Sequence, residues 1–469
     1  MFAICDNNKT VHFIGIGGIG VSGIAEILHY LGYIVQGSDK AHSSNIERLE
    51  KLGVRVFVGH NLKHVENADV VVYSSAIKSD NVELVRAREL KMPCLQRADM
   101  LSQIVRFKKS IVTAGSHGKT TVTSICSALL EMANFDPTVV NGGVINSYKT
   151  NARLGSGEWA VVESDESDGS FVRFFPTIGI ITNIDKEHVP YYGSFENLKN
   201  SFKAFLNNIP FYGAGIVCVD DKNVCEIIND MTDRKIITYS IENDSMFKAT
   251  NIRKTQEGAI FDVTINTSNR KETVKDISIP LLGDYNIRNS LSAIAVSDEL
   301  GISAEIVKAT LASFTGVWRR FTNVGTIKEI PIIDDYAHHP TEIKSLLDSA
   351  RQRSKGKIII IHQPHRFTRL NILFDEFCEC FDNADTVIIT SVYKADDTET
   401  GKIDAKDLYK ALIKRGKKAI FAENIESLQN AIAALINQGE VTKEDLIIFS
   451  GAGSISKWAH EITKNWQTT

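Results

Sequence analysis

The sequence predicts an α/β protein of three domains, and three observations carry that prediction. At 469 residues the chain exceeds what one hydrophobic core organises, and ordinary domain sizes divide it into about three. Strand-like and helix-like segments alternate through most of its length, the pattern of parallel sheets covered by helices. Two strand-to-helix junctions are rich in glycine, GIGGIG at 15–20 and TAGSHGKTT at 113–121, as nucleotide-binding α/β folds require.

The first domain, residues 1–107, opens with the β-rich runs VHFIGI, YIVQGSD, VRVFVG and DVVVYSSAI, separated by helical patterns such as VSGIAEILHYLG. These predict a Rossmann-like parallel sheet. Residues 98–109 form its boundary, and SIVTAG begins the second domain, 108–316. There EWAVVESDE, TIGIITNID and AGIVCVD read as buried strands of a phosphate-loop ATPase domain. Between 246 and 280 the pattern shifts to short alternating strands, a β-rich insertion, and the helical stretch YNIRNSLSAIAVSDELG closes the domain. The third domain, 317–469, returns to α/β alternation with IPIIDDY, KIIIIHQ, DTVIITSV and DLIIFSG, and is again Rossmann-like.

Composition excludes several classes. A net charge of −4 leaves no electrostatic surplus for general nucleic-acid binding. No basic start followed by an apolar run marks a secretory signal, and no apolar stretch approaches the roughly 18 residues of a membrane span. Seven scattered cysteines, an odd number, do not form a disulfide framework and point to a reducing, cytoplasmic compartment. Cys378 and Cys380 lack a second Cys/His pair for zinc and read as core or surface thiols.

In the first glycine junction, Gly15 permits the tight turn and Gly17 lets the backbone approach a pyrophosphate. Gly18 lies between them, and Gly20 allows close helix–strand packing. Asp39 ends the second strand, where an acid binds a ribose hydroxyl. A diphosphate nucleotide follows from this pattern, whether its other half is nicotinamide or uridine. In the second junction Gly115 and Gly118 free the backbone to surround phosphate oxygens. Lys119 reaches the terminal phosphates, and the Thr120 hydroxyl joins a Mg²⁺ shell. The loop departs from the usual pattern because Thr113 stands where a first glycine is expected.

The shorter form GSHGKTT resembles the Mur ligase family, cytoplasmic enzymes of peptidoglycan precursor synthesis, and its folylpolyglutamate synthase cousins. HFIGIGGIGVSGIAEIL, VVVYSSAI, ESDESDGSF, TNIDKEH with YYGSFENLK, GDYNIRNSLSAIAV, DDYAHHPTE and HQPHRFTR extend the resemblance over the whole chain. They are similar to the branch that joins L-alanine to UDP-N-acetylmuramate. The resemblance implies an acyl-phosphate ligase with ATP and Mg²⁺, working as a monomer or homodimer. It implies a sugar-nucleotide cradle of Gly15, Gly17, Gly18, Gly20, Asp39, Ser74 and Ser75. The implied ATP site is Gly115, Ser116, His117, Gly118, Lys119, Thr120 and Thr121, with Asn286 and Asn289 at adenine and Arg319 or Arg320 near the domain junction. Thr120, Glu163 and His188 would hold the metal. Asp165, Glu166 and Asp168 read equally as a solvated acidic turn. In the third domain Tyr336, His338, His365, Arg366 and Arg369 would hold the amino acid or the acyl phosphate, since arginine forks suit such anions.

Two points stay local to this chain. Relatives usually place an Ala-Gly-Glu turn after the strand DTVIITSV, whereas this chain has YKADDTETG, leaving Asp396, Asp397 and Glu399 as candidate replacements. Several relatives also use a carbamoylated lysine downstream of the metal-binding histidine. That position falls near Phe202, with Lys203 next to it, and the alanine-adding branch resembles those that do without it. Phe195, Leu198, Phe202, Phe205 and Ile209 recur at helical spacing and predict one buried face, with Lys203 on the open flank. Other readings remain. A nicotinamide oxidoreductase leaves GSHGKTT without work, and a ligase that joins a recycled tripeptide to the same sugar nucleotide shares most of these motifs. A catalytically dead regulator has no need of Lys119, Thr120, Glu163 and His188 together.

Overall fold

The computed structural model describes residues 9–74, 76–106, 108–395, 397 and 403–467. Its first sheet contains β1 (Thr10–Ile14), β2 (Ile34–Asp39), β3 (Arg55–Val58), β4 (Val70–Tyr73) and β5 (Cys94–Gln96), in the order β3-β2-β1-β4-β5 with parallel pairing throughout. Phe13, Ile14, Val71 and Val72 are fully buried, because helices on both faces hide alternate side chains of each strand. The order reverses between β1 and β4. The C-terminal edge at such a switch point is where open α/β sheets bind ligands.

One polar network is built into this hydrophobic unit. Glu83, fully buried, receives Ser38 Oγ at 2.5 Å and the Asn61 amide at 3.1 Å. His64 Nδ1 lies 2.7 Å and His12 Nε2 3.3 Å from its carboxylate oxygens. Burial pushes the Glu83 carboxyl up, but the donors from His12, Ser38 and Asn61 outweigh it and bring it down to about 2. The backbone carbonyl of the same Ser38 accepts from the amides of Gly15 at 2.8 Å and Ile16 at 3.0 Å. The network therefore sits directly beneath the first glycine turn.

The second sheet holds β6 (Lys109–Ala114), β7 (Thr138–Ile145), β8 (Thr150–Arg153), β9 (Trp159–Glu163), β10 (Ile178–Ile181), β11 (Ala214–Cys218), β12 (Ile236–Ser240), β13 (Phe247–Lys254), β14 (Ala259–Asn266) and β15 (Lys271–Ile279). Its order is β15-β14-β13-β12-β11-β10-β6-β9-β7-β8. The expected β-rich insertion is thus no separate body: β12 pairs with β13 in parallel, and the three strands continue the central sheet at one edge. The third sheet holds β16 (Thr322–Ile327), β17 (Ile330–Asp335), β18 (Ile358–His362), β19 (Thr386–Thr390), β20 (Ala419–Ala422) and β21 (Leu446–Ser450), ordered β16-β17-β21-β18-β19-β20. Only the β16–β17 pairing is antiparallel there. Cys378 and Cys380 are buried in this core, the thiol reading of the C-x-C pair.

Two compact units contain the three sheets. The first comprises residues up to Asn251, Phe261–Ile279 and Asn286–Gly316; the second comprises Ile252–Ile260, Pro280–Tyr285 and Val317 onward.

Candidate active site

In the first unit, the turn after β1 is held in place by β2. Gly15 takes φ +82°, and the Gly17 amide donates to Asp39 Oδ2 at 2.8 Å. A Cβ on Gly17 would come within 3.0 Å of Asp39, Ser43 and Ile46, so the backbone passes close to all three. Ser74 reaches the same turn: its Cβ is 3.5 Å from where a Gly15 side chain would start. Ser75 lies outside the described residues. Gly20 serves a different purpose from the expected helix–strand packing. The space its Cβ would fill is taken by the Arg97 guanidinium, 2.9 Å away.

The second loop runs from β6 into the helix Lys119–Met132. Gly115 (φ +131°) and Gly118 (φ +84°) both need a glycine, for conformation and for space. A Cβ on Gly115 would overlap Thr182 Oγ1, and one on Gly118 would lie 2.6 Å from Asn289 Oδ1. The loop's backbone is shaped by the segment after β10. The His117 amide donates to Asn183 Oδ1 at 2.9 Å, and Ser116 Oγ accepts from the Asp185 amide at 2.8 Å. His117 Nε2 lies 3.0 Å from Asp185 Oδ2. These bonds need no first glycine, so Thr113, fully buried in β6, is compatible with the loop. Asn286 and Asn289 are buried beside it, with the Asn289 amide donating to Asn286 at 3.2 Å.

Lys119 is folded back over its own loop. Its Nζ donates to the carbonyls of Gly115 at 2.5 Å and Ser116 at 3.1 Å, and lies 2.8 Å from Glu166. Burial pulls the ammonium down, yet the charges of Glu166, Glu163 and Asp165 reverse this and hold it well above the usual lysine range. Glu166 is pushed up by its burial and by Asp165 and Glu187, against the pull of Lys119. The acidic run is therefore no solvated turn at Glu166, which is 2% exposed. Glu163 accepts from Thr120 Oγ1 at 3.2 Å and from the Gly142 amide at 2.8 Å. One lysine faces three carboxylates, so the pocket carries an excess of negative charge that a cation would neutralise.

The expected metal set divides into two neighbouring groups. Thr120 and Glu163 form one. His188 joins Glu166 and Glu187 in the other, with ligand atoms all within 4.8 Å of one another. Glu187 is a residue the sequence reading leaves out. His188 takes φ +55°, an uncommon conformation for a non-glycine residue that costs on the order of 1–2 kcal/mol and clusters at functional positions. Hydroxyl, carboxylate and imidazole donors in this pattern fit a hard divalent cation such as Mg²⁺.

The helix Phe195–Asn207 follows, and its buried face is Leu198, Phe202, Phe205 and Leu206. Lys203 lies on its flank, paired with Asp230 at 2.7 Å. Lys203→Ala is expected to keep most of the wild-type turnover and to gain nothing from added bicarbonate. A severe loss restored by a small carboxylic acid, read in the same steady-state assay, would establish a carbamate there.

The second unit gathers the remaining candidates at the C-terminal ends of β17 and β18. Tyr336 carries Arg319 over its ring at 4.8 Å and Arg320 at 5.5 Å. His338 Nδ1 donates to the Tyr336 carbonyl at 3.0 Å, and its ring meets His365 edge-on at 5.7 Å. Burial, with the positive charges of His338, Arg369, Arg366 and Arg319, lowers His365 to about 3. His365 is neutral at pH 7, and its Nδ1 accepts from Arg369 Nη1 at 3.2 Å. Arg319 (φ +59°) and Arg366 (φ +69°), like His188, take positive φ. Among the doubtful acids after β19, Asp397 accepts from the Thr368 amide at 2.8 Å and hydroxyl at 3.1 Å, bracing the turn that carries Arg366 and Arg369. Asp396 and Glu399 lie outside the described residues.

Known proteins resemble the chain along its length. The Mur ligase family catalytic domain matches residues 10–109, the Mur ligase middle domain 112–297, and the Mur ligase glutamate ligase domain 319–453. The UDP-N-acetylmuramate–L-alanine ligase of Brucella anthropi is 46% identical over 98% of this chain and 97% of its own length. That of Agrobacterium fabrum is 46% identical over 96% and 95%. Among solved structures, the UDP-N-acetylmuramate-alanine ligase of Thermotoga maritima superposes with a TM-score of 0.83 at 29% identity, covering 98% of this chain and all of that one. A murein peptide ligase from Psychrobacter arcticus gives 0.72 at 22% identity over 98% of both, a likeness of fold alone.

Proposed function

The chain belongs to the Mur ligase family, and we infer from that membership that it joins L-alanine to the lactyl carboxylate of UDP-N-acetylmuramate at the expense of ATP. The observation that carries this reading is identity of 46% with L-alanine ligases over nearly the full length of both chains. Transfer of the ATP γ-phosphoryl to a carboxylate oxygen gives an acyl phosphate and ADP. The amine nitrogen of L-alanine then bonds to the acyl carbon, phosphate leaves, and the amine loses a proton. Phosphoryl transfer asks a protein for positioning and charge neutralisation more than for covalent help. The charged, buried Lys119 supports that role at the terminal phosphates, and the loop amides around Gly115 and Gly118 support phosphate binding.

Thr120 and Glu163 would hold Mg²⁺ beside the phosphates, with Glu166, Glu187 and His188 as a second donor group. Bound there, the ion would neutralise phosphate charge. Within this reading, 1–107 binds the sugar nucleotide, 108–316 binds ATP with Asn286 and Asn289 near adenine, and 317–469 supplies Tyr336, His338, His365, Arg366 and Arg369 for the amino acid or acyl phosphate. ATP as co-substrate supports a cytoplasmic reaction; no described helix is long and apolar enough to cross a membrane. The tripeptide-joining reading rests on a structural likeness below 25% identity and is the weaker of the two. The test is ATP-dependent phosphate release with UDP-N-acetylmuramate against L-alanine, L-serine, glycine and the tripeptide. Release with L-alanine, matched by UDP-N-acetylmuramoyl-L-alanine, is expected; release with the tripeptide alone would overturn the assignment.

A further inference from the structure

β7 pairs with β9 as far as Val140, opposite Val162, and the next residue, Asn141, is buried where that pairing ends. Its side chain closes a ring of hydrogen bonds around Thr120 and Glu163. The Nδ2 group donates to Ser124 Oγ at 2.8 Å and to the Thr120 carbonyl at 3.4 Å, and Ser124 Oγ itself donates to that carbonyl at 2.7 Å. The Oδ1 atom accepts from the Gly142 amide at 3.0 Å. The same amide donates to Glu163 Oε2 at 2.8 Å, and Glu163 Oε1 accepts from Thr120 Oγ1 at 3.2 Å. The circuit runs from Thr120 through Asn141, Gly142 and Glu163 back to Thr120.

The ring suits an asparagine and few other side chains. A carbonyl can only accept and an amide N–H can only donate, so position 141 must offer a donor and an acceptor at once. An ionised aspartate lacks the donor, and a leucine of similar size lacks both. Asn141 reaches Glu163 through the Gly142 amide and Thr120 through its carbonyl, fixing where the two groups stand without supplying a ligand itself. Neighbouring oxygens around an octahedral Mg²⁺ stand about 3 Å apart. Thr120 Oγ1 and Glu163 Oε1 are held at 3.2 Å, close to that spacing. Asn151, equally buried on β8, gives a comparison. It donates to the Asn141 carbonyl at 3.4 Å and to the Ile19 carbonyl at 2.5 Å, so it holds the same strand without entering the ring.

We propose that Asn141 is a positioning residue for the reaction: it holds the Thr120 hydroxyl and the Glu163 carboxylate at the spacing that one divalent cation bridges. The inference rests on the reading of Thr120 and Glu163 as Mg²⁺ ligands.

The test titrates Mn²⁺ into the full chain in the presence of a non-hydrolysable ATP analogue and reads free Mn²⁺ by electron paramagnetic resonance, with thermal melting to confirm folding. Glu163→Gln identifies the Mn²⁺ that the pair holds. Asn141→Ala should weaken that Mn²⁺ by about tenfold or more, and Asn151→Ala should leave it within about twofold. In the steady-state assay Asn141→Ala should raise the Mg²⁺ concentration needed for half-maximal turnover by a similar factor, with activity returning toward wild type at high Mg²⁺. If alanine at 141 prevents folding, Ser124→Ala decides, since it removes one partner of the amide: a loss of about threefold or more supports the role, and wild-type Mn²⁺ affinity overturns it. Unaltered Mn²⁺ affinity in folded Asn141→Ala would also overturn the proposal. So would an equal loss in Asn151→Ala, which would make both asparagines mere props for the strand. Full Mn²⁺ binding in Glu163→Gln would instead refute the metal reading of Thr120 and Glu163.

Discussion

Replacing Lys119 with alanine is expected to lower turnover on the order of a thousandfold, about 4 kcal/mol of transition-state stabilisation, while UDP-N-acetylmuramate affinity stays within a few-fold. The lysine faces Glu163, Asp165 and Glu166, and burial makes each of its contacts count. Without it, the γ-phosphoryl group loses its nearest positive charge from protein. Glu166, 2% exposed and 2.8 Å from Nζ, also loses the Lys119 charge that pulls its raised carboxyl down. The first glycine turn stands on a different sheet and keeps its own bonds. Single-turnover phosphate release, with calorimetry for UDP-N-acetylmuramate, separates the two effects. A variant that retains a tenth of wild-type turnover has lost only about 1.4 kcal/mol, too little for the role assigned.

The second large effect is on stability and depends on pH. Glu83→Gln should weaken the first sheet by about 3 kcal/mol at pH 7, from the depression of the Glu83 carboxyl to about 2 against its ordinary 4.5. The sign follows from that direction. A carboxylate held down in the folded chain contributes stability that is full above pH 4.5, and it is lost as pH falls toward 2. The wild-type advantage should therefore shrink by about 1.4 kcal/mol for each pH unit below about 4.5. Amide-exchange protection in β1 and β2, compared between the two proteins at pH 7 and pH 3.5, reads this locally. An advantage that is equal at both pH values would show that hydrogen-bond shape, rather than charge, is what Glu83 supplies.

Much of this architecture is legible in the sequence. Runs such as KIIIIHQ and DTVIITSV are apolar enough to read as fully buried parallel strands, and β18 and β19 form there with every residue buried. The phosphate loop is equally plain, because Gly-Lys-Thr-Thr opens a helix directly after a strand. β7 is a different matter. Its Asn-Gly-Gly interior carries a turn signature, yet the strand continues past it, with a shift in pairing register to β8 between Val140 and Ile145. The glycine is there for space: a Cβ on Gly142 would sit 2.5 Å from Glu163, the carboxylate proposed above as a metal ligand. Nothing local reveals that requirement, because Glu163 is 21 residues away. The same holds for Glu166, whose partner Lys119 lies 47 residues earlier. Without that partner in view, an acidic run looks solvated. Gly20 fits a well-known fingerprint, but the fingerprint does not tell that its vacancy belongs to Arg97.

The division of the chain into two units carries a practical consequence for anyone who cuts it. The polypeptide passes between units five times, at 251/252, 260/261, 279/280, 285/286 and 316/317. A nick after Gly316 severs one of those passages and leaves four intact. The short pieces on the far side are bound fast: the Gln352 side chain donates to the carbonyls of Thr255 at 2.8 Å and Gly258 at 2.7 Å, and accepts from the Gly283 amide at 3.0 Å. The C-terminal portion is therefore not a single continuous stretch of chain. An expression fragment starting at Val317 would leave that glutamine with raw edges, and one ending at Gly316 would carry two loops stripped of their seat.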